Sequence, residues 1–173
     1  VVAGLKAEGV TYRGVLYCGL MMTARGPMVL EFNCRFGDPE TQPILMRLES
    51  DLVDAIEAAI AGRASEGDFR WSADASVCVV LASGGYPGAY EKGKKITGVE
   101  AAAKVEGATV FHAGTTYREG AFYTAGGRVL GVTAHAAELT QALARVYEAV
   151  DHIQFEGMHY RKDIAARALR QKA

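Results

Sequence analysis

Five β-forming segments recur between Ser76 and Ala136, and their spacing constrains the fold of this chain more than any other feature. They run over Ser76–Ser83, Lys95–Thr97, Ala108–Thr116, Ala121–Thr124 and Arg128–Ala136, separated by the turns "GGYPG", "REG" and "AGG". Short strands between glycine corners predict a small, strongly curved sheet or open barrel. The next segment, "AELTQALARVYEAV", carries Leu139, Leu143, Val146 and Val150 at helical spacing and is expected to lie on that sheet. The chain closes with "FEGMHYRKDIAARALRQ", expected to end in a short helix.

The first third reads differently. Gly14–Met22 is an apolar run rich in β-formers, "TARGP" supplies a turn, and Met28–Asn33 returns as the second strand of a hairpin. Asp38-Pro39 forces an extended or turn conformation, and Gln42–Leu48 is expected as a short helix opened by Pro43. Ser50 offers an N-cap to "DLVDAIEAAIAG", with Gly62 as its stop and Leu52, Ile56, Ala59 and Ile60 as its buried stripe. From Arg63 to Ala75 the composition turns polar. The expected organisation is α+β, with residues 1–62 in one domain, 63–75 as a linker, and 76–170 as a small β-rich, barrel-like domain carrying a packed helix.

Composition excludes several function classes. Net charge is -1 and the pI about 6.5, so no global field attracts nucleic acid or an anionic membrane. The longest apolar runs, Val15–Met22 and Val77–Ala82, are far too short to span a bilayer, and the first residues carry no signal-peptide pattern. Cys18, Cys34 and Cys78 are odd in number, with no CxxC, which points to buried thiols in a reducing, cytoplasmic setting. His135, His152 and His159 lack zinc-ligand spacing, and His112 reads as a hydrogen-bonded structural histidine.

Chemistry concentrates in "VLEFNCRFGDPETQ", Val29 to Gln42. On a strand, residues i, i+2 and i+4 share a face, so Glu31, Asn33 and Arg35 project together while Leu30, Phe32 and Cys34 face a core. A carboxylate and an amide carbonyl two residues apart are oxygen ligands suited to Mg²⁺. Arginine can grip a carboxylate or phosphate through two donors. The triplet alone is better read as a strand edge with its polar residues toward water.

The longer run narrows the choice. "EFNCRFGDPETQ" closely resembles the metal-binding strand of the ATP-grasp ligases, and in its full form that of the phosphoribosylamine–glycine ligase (glycinamide ribonucleotide synthetase) family. "YRGVLYCGLMMTARGPMVLEFN" resembles the hairpin before that motif, and "GGYPGAYEKGKKITG", "VFHAGT", "GGRVLGVTA" and "RKDIAARAL" are similar, in order, to segments of the family's C-terminal domain. The resemblance implies ATP-dependent ligation of glycine to 5-phosphoribosylamine through a glycyl phosphate, giving glycinamide ribonucleotide, ADP and phosphate in purine biosynthesis. It implies Glu31 and Asn33 as ligands of Mg²⁺ or Mn²⁺, Arg35 as the catalytic arginine facing substrate or acyl phosphate, and Asp38 and Glu40 beside the amine and sugar pocket. The substrate's phosphate calls for a further cationic site. Arg161 and Lys162 are assigned to it; the alternative for Arg161 is a salt bridge with Asp163 or Glu156. Lys94 and Lys95, beside "GGYPG", are the competing pair.

Two positions depart from the family pattern. Ala165 stands where glycine is usual after Asp-Ile, and Ala125 where asparagine is usual before Gly-Gly-Arg. No glycine-rich phosphate loop, no lysine pair for the ATP phosphates and no adenine-binding segment is found in the sequence. The chain is therefore expected to be the last ATP-grasp strands and helices plus the small C-terminal domain, partnered by an upstream part of the same polypeptide that holds the ATP contacts. A second reading, from a different class, is a stand-alone, non-catalytic binding or scaffolding module.

Overall fold

The computed structural model describes residues 1–170 of the 173-residue chain. Two compact units make it up. The first comprises Val1–Asp38 and Leu48–Ser72; the second comprises Pro39–Arg47 and the chain from Ala73 onward. Among the described residues no helix is long and apolar enough to cross a membrane.

The first unit opens with α1 (Val2–Ala7), followed by the antiparallel hairpin of β1 (Tyr17–Thr23) and β2 (Gly26–Asn33). Cys18 pairs with Phe32 and Tyr17 with Asn33, and a bulge interrupts the register between Gly19 and Leu20. Within this unit no third strand joins the hairpin, so Leu30 (64% exposed), Phe32 and Cys34 face solvent rather than the core expected for them.

The helix α3 (Leu52–Ile60) is capped by Asp51, not Ser50. Asp51 Oδ1 accepts from the Val53 backbone N–H at 2.7 Å, while Ser50 Oγ accepts from the Arg70 N–H at 3.1 Å. A carboxylate next to the helix start also complements its dipole, which explains the preference. The buried positions of α3 are Ala55 and Ala58; Ile56 (43%) and Ile60 (67%) are exposed. With Leu52 and Ala59, they line an apolar groove of about 170 Å³ beside Val15, Phe36 and Phe69. The polar segment from Arg63 is no bare linker. Residues Glu66–Asp68 form a 3-10 turn, Leu48 bridges Trp71, and Glu49 N–H donates to Arg70 O at 2.9 Å. Trp71 stacks on Phe69 but stays 47% exposed.

The second unit is built on β3 (Ala75–Ala82), β4 (Lys95–Ile96), β5 (Ala108–His112), β6 (Thr115–Arg118), β7 (Ala121–Thr124) and β8 (Arg128–Ala136). α+β is right, but the strands divide into two antiparallel three-stranded sheets, ordered β3-β8-β5 and β4-β7-β6, with no closed barrel among the described residues. The segment expected as one strand over Ala108–Thr116 breaks after His112. Gly114 there approaches Gly126 so closely that an added β-carbon would lie 2.6 Å from its Cα.

Register assigns the faces of the first sheet. Val77, Val79 and Leu81 lie opposite Ala134, Val132 and Leu130, and this apolar face takes α5 (Leu139–His152) through Ala142, Val146 and Val150. Fully burying a valine or leucine side chain contributes roughly 1.5–3 kcal/mol, so this layer dominates the unit. The short helix α2 (Thr41–Leu45) packs against β3 and β8. Its start at Thr41 puts Pro43 in the first turn, where the missing N–H costs nothing. The helices α4 (Val99–Ala102) and α6 (Ala166–Arg170) complete the unit.

Candidate functional site

Glu31 and Asn33 project from the same face of β2, and Asn33 Nδ2 donates to Glu31 Oε1 at 3.0 Å. That bond leaves Asn33 Oδ1 and Glu31 Oε2 as neighbouring oxygen donors, a set that fits a hard divalent cation such as Mg²⁺ and would suit a softer ion poorly. Directly across the hairpin, Gly19 is buried beneath Glu31: a β-carbon there would come within 3.1 Å of Glu31 Cγ. The neighbouring bulge is the kind of irregularity that re-aims a side chain. Gly19 is a site residue the sequence reading missed, although a glycine inside an apolar strand is the available signal.

Arg35 lies just past β2, exposed, its Nη1 donating to Phe36 O at 2.9 Å. Cys34 points elsewhere and touches Tyr12, whose hydroxyl its hydrogen bond pushes above the usual phenol range. Asp38 ends the first unit; Glu40, the N-cap residue of α2, is half-buried in the second.

In the second unit Arg161 makes a two-pronged ion pair with Asp163, Nε to Oδ1 at 2.9 Å and Nη2 to Oδ2 at 2.8 Å. The hydrogen bonds from Arg161 hold the Asp163 carboxyl below the usual carboxylate range and raise the guanidinium in turn. Both side chains are solvated, so the pair orients Arg161 more than it stabilises the fold. Tyr147 Oη donates to Arg161 O at 2.9 Å and receives the Ile164 N–H at 3.4 Å, strapping the segment to α5. Lys162 is exposed between the two ion-paired residues. Arg167, at the start of α6, also lowers the Asp163 carboxyl electrostatically, a further cation the sequence reading did not single out. The competing Lys94 is held between Glu91 Oε2 at 2.8 Å and Glu156 Oε1 at 2.9 Å. His112 Nδ1 pairs with Thr115 Oγ1 at 3.0 Å, as a structural histidine should.

Residues 76–167 match the phosphoribosylglycinamide synthetase C domain, and residues 1–41 match the ATP-grasp (A) domain of the same synthetase. The chain belongs to the phosphoribosylglycinamide synthetase family. Phosphoribosylamine–glycine ligase of Caldanaerobacter subterraneus subsp. tengcongensis is 49% identical over 166 residues, covering 96% of this chain and 39% of the relative. That of Vibrio cholerae serotype O1 is 50% identical over 169 residues, covering 97% and 39%. The crystal structure of phosphoribosylamine–glycine ligase from Thermotoga maritima superposes with a TM-score of 0.79 at 37% identity, over 94% of this chain and 39% of that one. N5-carboxyaminoimidazole ribonucleotide synthetase from the same organism shares the fold, with a TM-score of 0.61 at 17% identity over 88% of this chain and 39% of its own. The chain thus spans about two-fifths of the length of these synthetase-family relatives.

Proposed function

We propose that this chain is the C-terminal part of a cytoplasmic phosphoribosylamine–glycine ligase, which joins glycine to 5-phosphoribosylamine at the expense of ATP. Residues 1–62 form the end of the ATP-grasp domain, 63–75 the connection, and 76–170 the small domain, with α2 contributed to it by the first segment. The observation that carries this reading is the pairing of Glu31 with Asn33 at 3.0 Å on one face of β2, inside a chain of the synthetase family.

Glu31 and Asn33 would hold Mg²⁺ or Mn²⁺ through their free oxygens, and such a cation would supply offset of negative charge on phosphate oxygens. Fixing both ligands on one strand, one side chain bonded to the other, keeps them in place without further ordering cost. Arg35, on the same strand extension, presents planar donors to the acyl phosphate or carboxylate. Asp38 and Glu40 border the amine and sugar, where a carboxylate can accept an ammonium proton and hold the amine nucleophilic. Lys162, with Arg161 oriented by Asp163, receives the sugar phosphate. The ATP-cradling groups come from the upstream part of the same polypeptide.

Assay of the full-length gene product tests the proposal. Glycine-, ATP- and phosphoribosylamine-dependent release of ADP with stoichiometric glycinamide ribonucleotide supports it. Failure of the intact, folded protein to form that product under saturating substrates contradicts it.

A further inference from the structure

Arg161, Lys162 and Asp163 lie in neither helix nor strand, and all three are exposed. Irregular surface chain is the most mobile kind, so a phosphate site built on it needs support from the packed elements around it. On the upstream side that support is backbone. Ala82 N–H donates to His159 O at 2.9 Å and His159 N–H donates to Ala82 O at 3.0 Å, tying the segment to the end of β3. Just beyond, Gly84 lies so close to Gly157 that a β-carbon at 84 would come within 2.9 Å of Gly157 O.

Downstream of His159 the polar support comes from one side chain. Tyr147 is half-buried on α5 and packs against the core of the second unit, as Tyr160 and Ile164 do. Its hydroxyl donates to Arg161 O at 2.9 Å and accepts the Ile164 N–H at 3.4 Å. These two backbone groups flank the exposed trio, and no backbone–backbone hydrogen bond among the described residues uses either of them. A phenylalanine ring would fill the same space, so what the hydroxyl adds is direction. With both flanks tied to one oxygen, the two-pronged pair with Asp163 sets the Arg161 guanidinium, and Lys162 stands between them.

We propose that Tyr147 is a positioning residue for phosphoribosylamine: its hydroxyl clamps the chain on both sides of Lys162 and so fixes where Arg161 and Lys162 meet the sugar phosphate. This rests on the reading above in which those two cations receive that phosphate. Such a clamp acts before binding, by sparing the ordering that a loose turn undergoes around its ligand. It touches neither the reacting atoms nor ATP, so the effect falls on KM for phosphoribosylamine and spares kcat.

The test uses the full-length enzyme with Tyr147→Phe, with Arg161→Ala and Lys162→Ala in one chain, and with all three changes combined. Tyr147→Phe should raise KM for phosphoribosylamine about fivefold or more, while kcat and KM for ATP stay within about twofold. Added to the chain that lacks both cations, it should raise that KM no further, since it acts through them. Unchanged KM in Tyr147→Phe, a further rise in the combined variant, or a rise shared equally by ATP would overturn the inference. Hydrogen exchange reads the clamp without turnover: the Ile164 amide should exchange faster in Tyr147→Phe, and unchanged exchange there contradicts the clamp. If removing both cations leaves KM for phosphoribosylamine unmoved, the phosphate assignment itself fails and the role of Tyr147 goes with it. A KM that rises in that variant but not in Tyr147→Phe refutes the clamp alone.

Discussion

Gly19 lies directly across the hairpin from Glu31, so close that any side chain at position 19 would press on Glu31 Cγ. The glycine therefore matters for its missing β-carbon. In the full-length enzyme, Gly19→Val should displace the Glu31 carboxylate, cut turnover by about tenfold or more and raise the Mg²⁺ concentration needed for half-maximal rate. Gly19→Ala should lie between. Steady-state rates across a magnesium titration decide it, and a Gly19→Val enzyme with wild-type magnesium dependence would show that Glu31 is not held from this side.

Ala165 has φ +60°, in the left-handed region that an alanine enters only at a cost of roughly 1–2 kcal/mol. This is the position where the family pattern has glycine. Ala165→Gly removes the strain, partly offset by the greater freedom of glycine in the unfolded chain, and should stabilise the protein by up to about 1 kcal/mol. Urea unfolding should show a higher midpoint at unchanged slope. A lower midpoint would mean the β-carbon makes contacts worth more than the strain.

The Arg161–Asp163 pair has a pH signature. Because Arg161 depresses the Asp163 carboxyl, whatever the pair contributes is present above the unfolded-state pKa of aspartate and is lost as pH falls through the lowered native value. Arg161→Gln should return the Asp163 carboxyl toward its ordinary range, measurable by NMR titration. In the full-length enzyme, Arg161→Ala should raise KM for phosphoribosylamine about ten- to a hundredfold and leave that for ATP nearly unchanged. If KM for phosphoribosylamine is unmoved while the Asp163 titration shifts, the arginine serves only its ion pair.

Much of this was legible in the residues, and the misses share a cause. Apolar runs located β3, β7 and β8 to within a residue, because those strands are buried on a defined face, and β-forming residues around a turn located the hairpin, although its strands are largely exposed. Glu31 and Asn33 were legible as a same-face pair, since strand periodicity is strict. What failed depended on partners distant in sequence. Cys34 and Phe32 look like core residues, yet both stay exposed. The break of β5 at Gly114 comes from its approach to Gly126, which no local pattern encodes. The cap at Asp51 rather than Ser50 turns on Ser50 being taken by Arg70, twenty residues on. Gly19 escaped notice because the space it leaves is used by a side chain on the facing strand.

Exposure of the hairpin has its own consequence. Met22, Val29 and Leu30 present apolar surface on a two-stranded sheet, and unpaired apolar edges drive association. The 173-residue chain expressed alone should self-associate with rising concentration, and Val29→Lys together with Leu30→Lys should reduce this. Sedimentation velocity distinguishes the outcomes; a monomer at all concentrations would mean the hairpin is covered within the chain. The isolated chain should also catalyse no ligation, since its sequence contains no phosphate loop.

The central claim, that the Glu31–Asn33 pair holds the catalytic cation, is tested most directly by the magnesium dependence of glycinamide ribonucleotide formation in the full-length enzyme. Wild type should be compared with Glu31→Ala and Asn33→Ala, each confirmed folded by its thermal midpoint. The account predicts that both variants lose ligation at millimolar Mg²⁺ by about three orders of magnitude, with any residual rate demanding far more metal. Near wild-type turnover in either variant at the same magnesium concentration would contradict it.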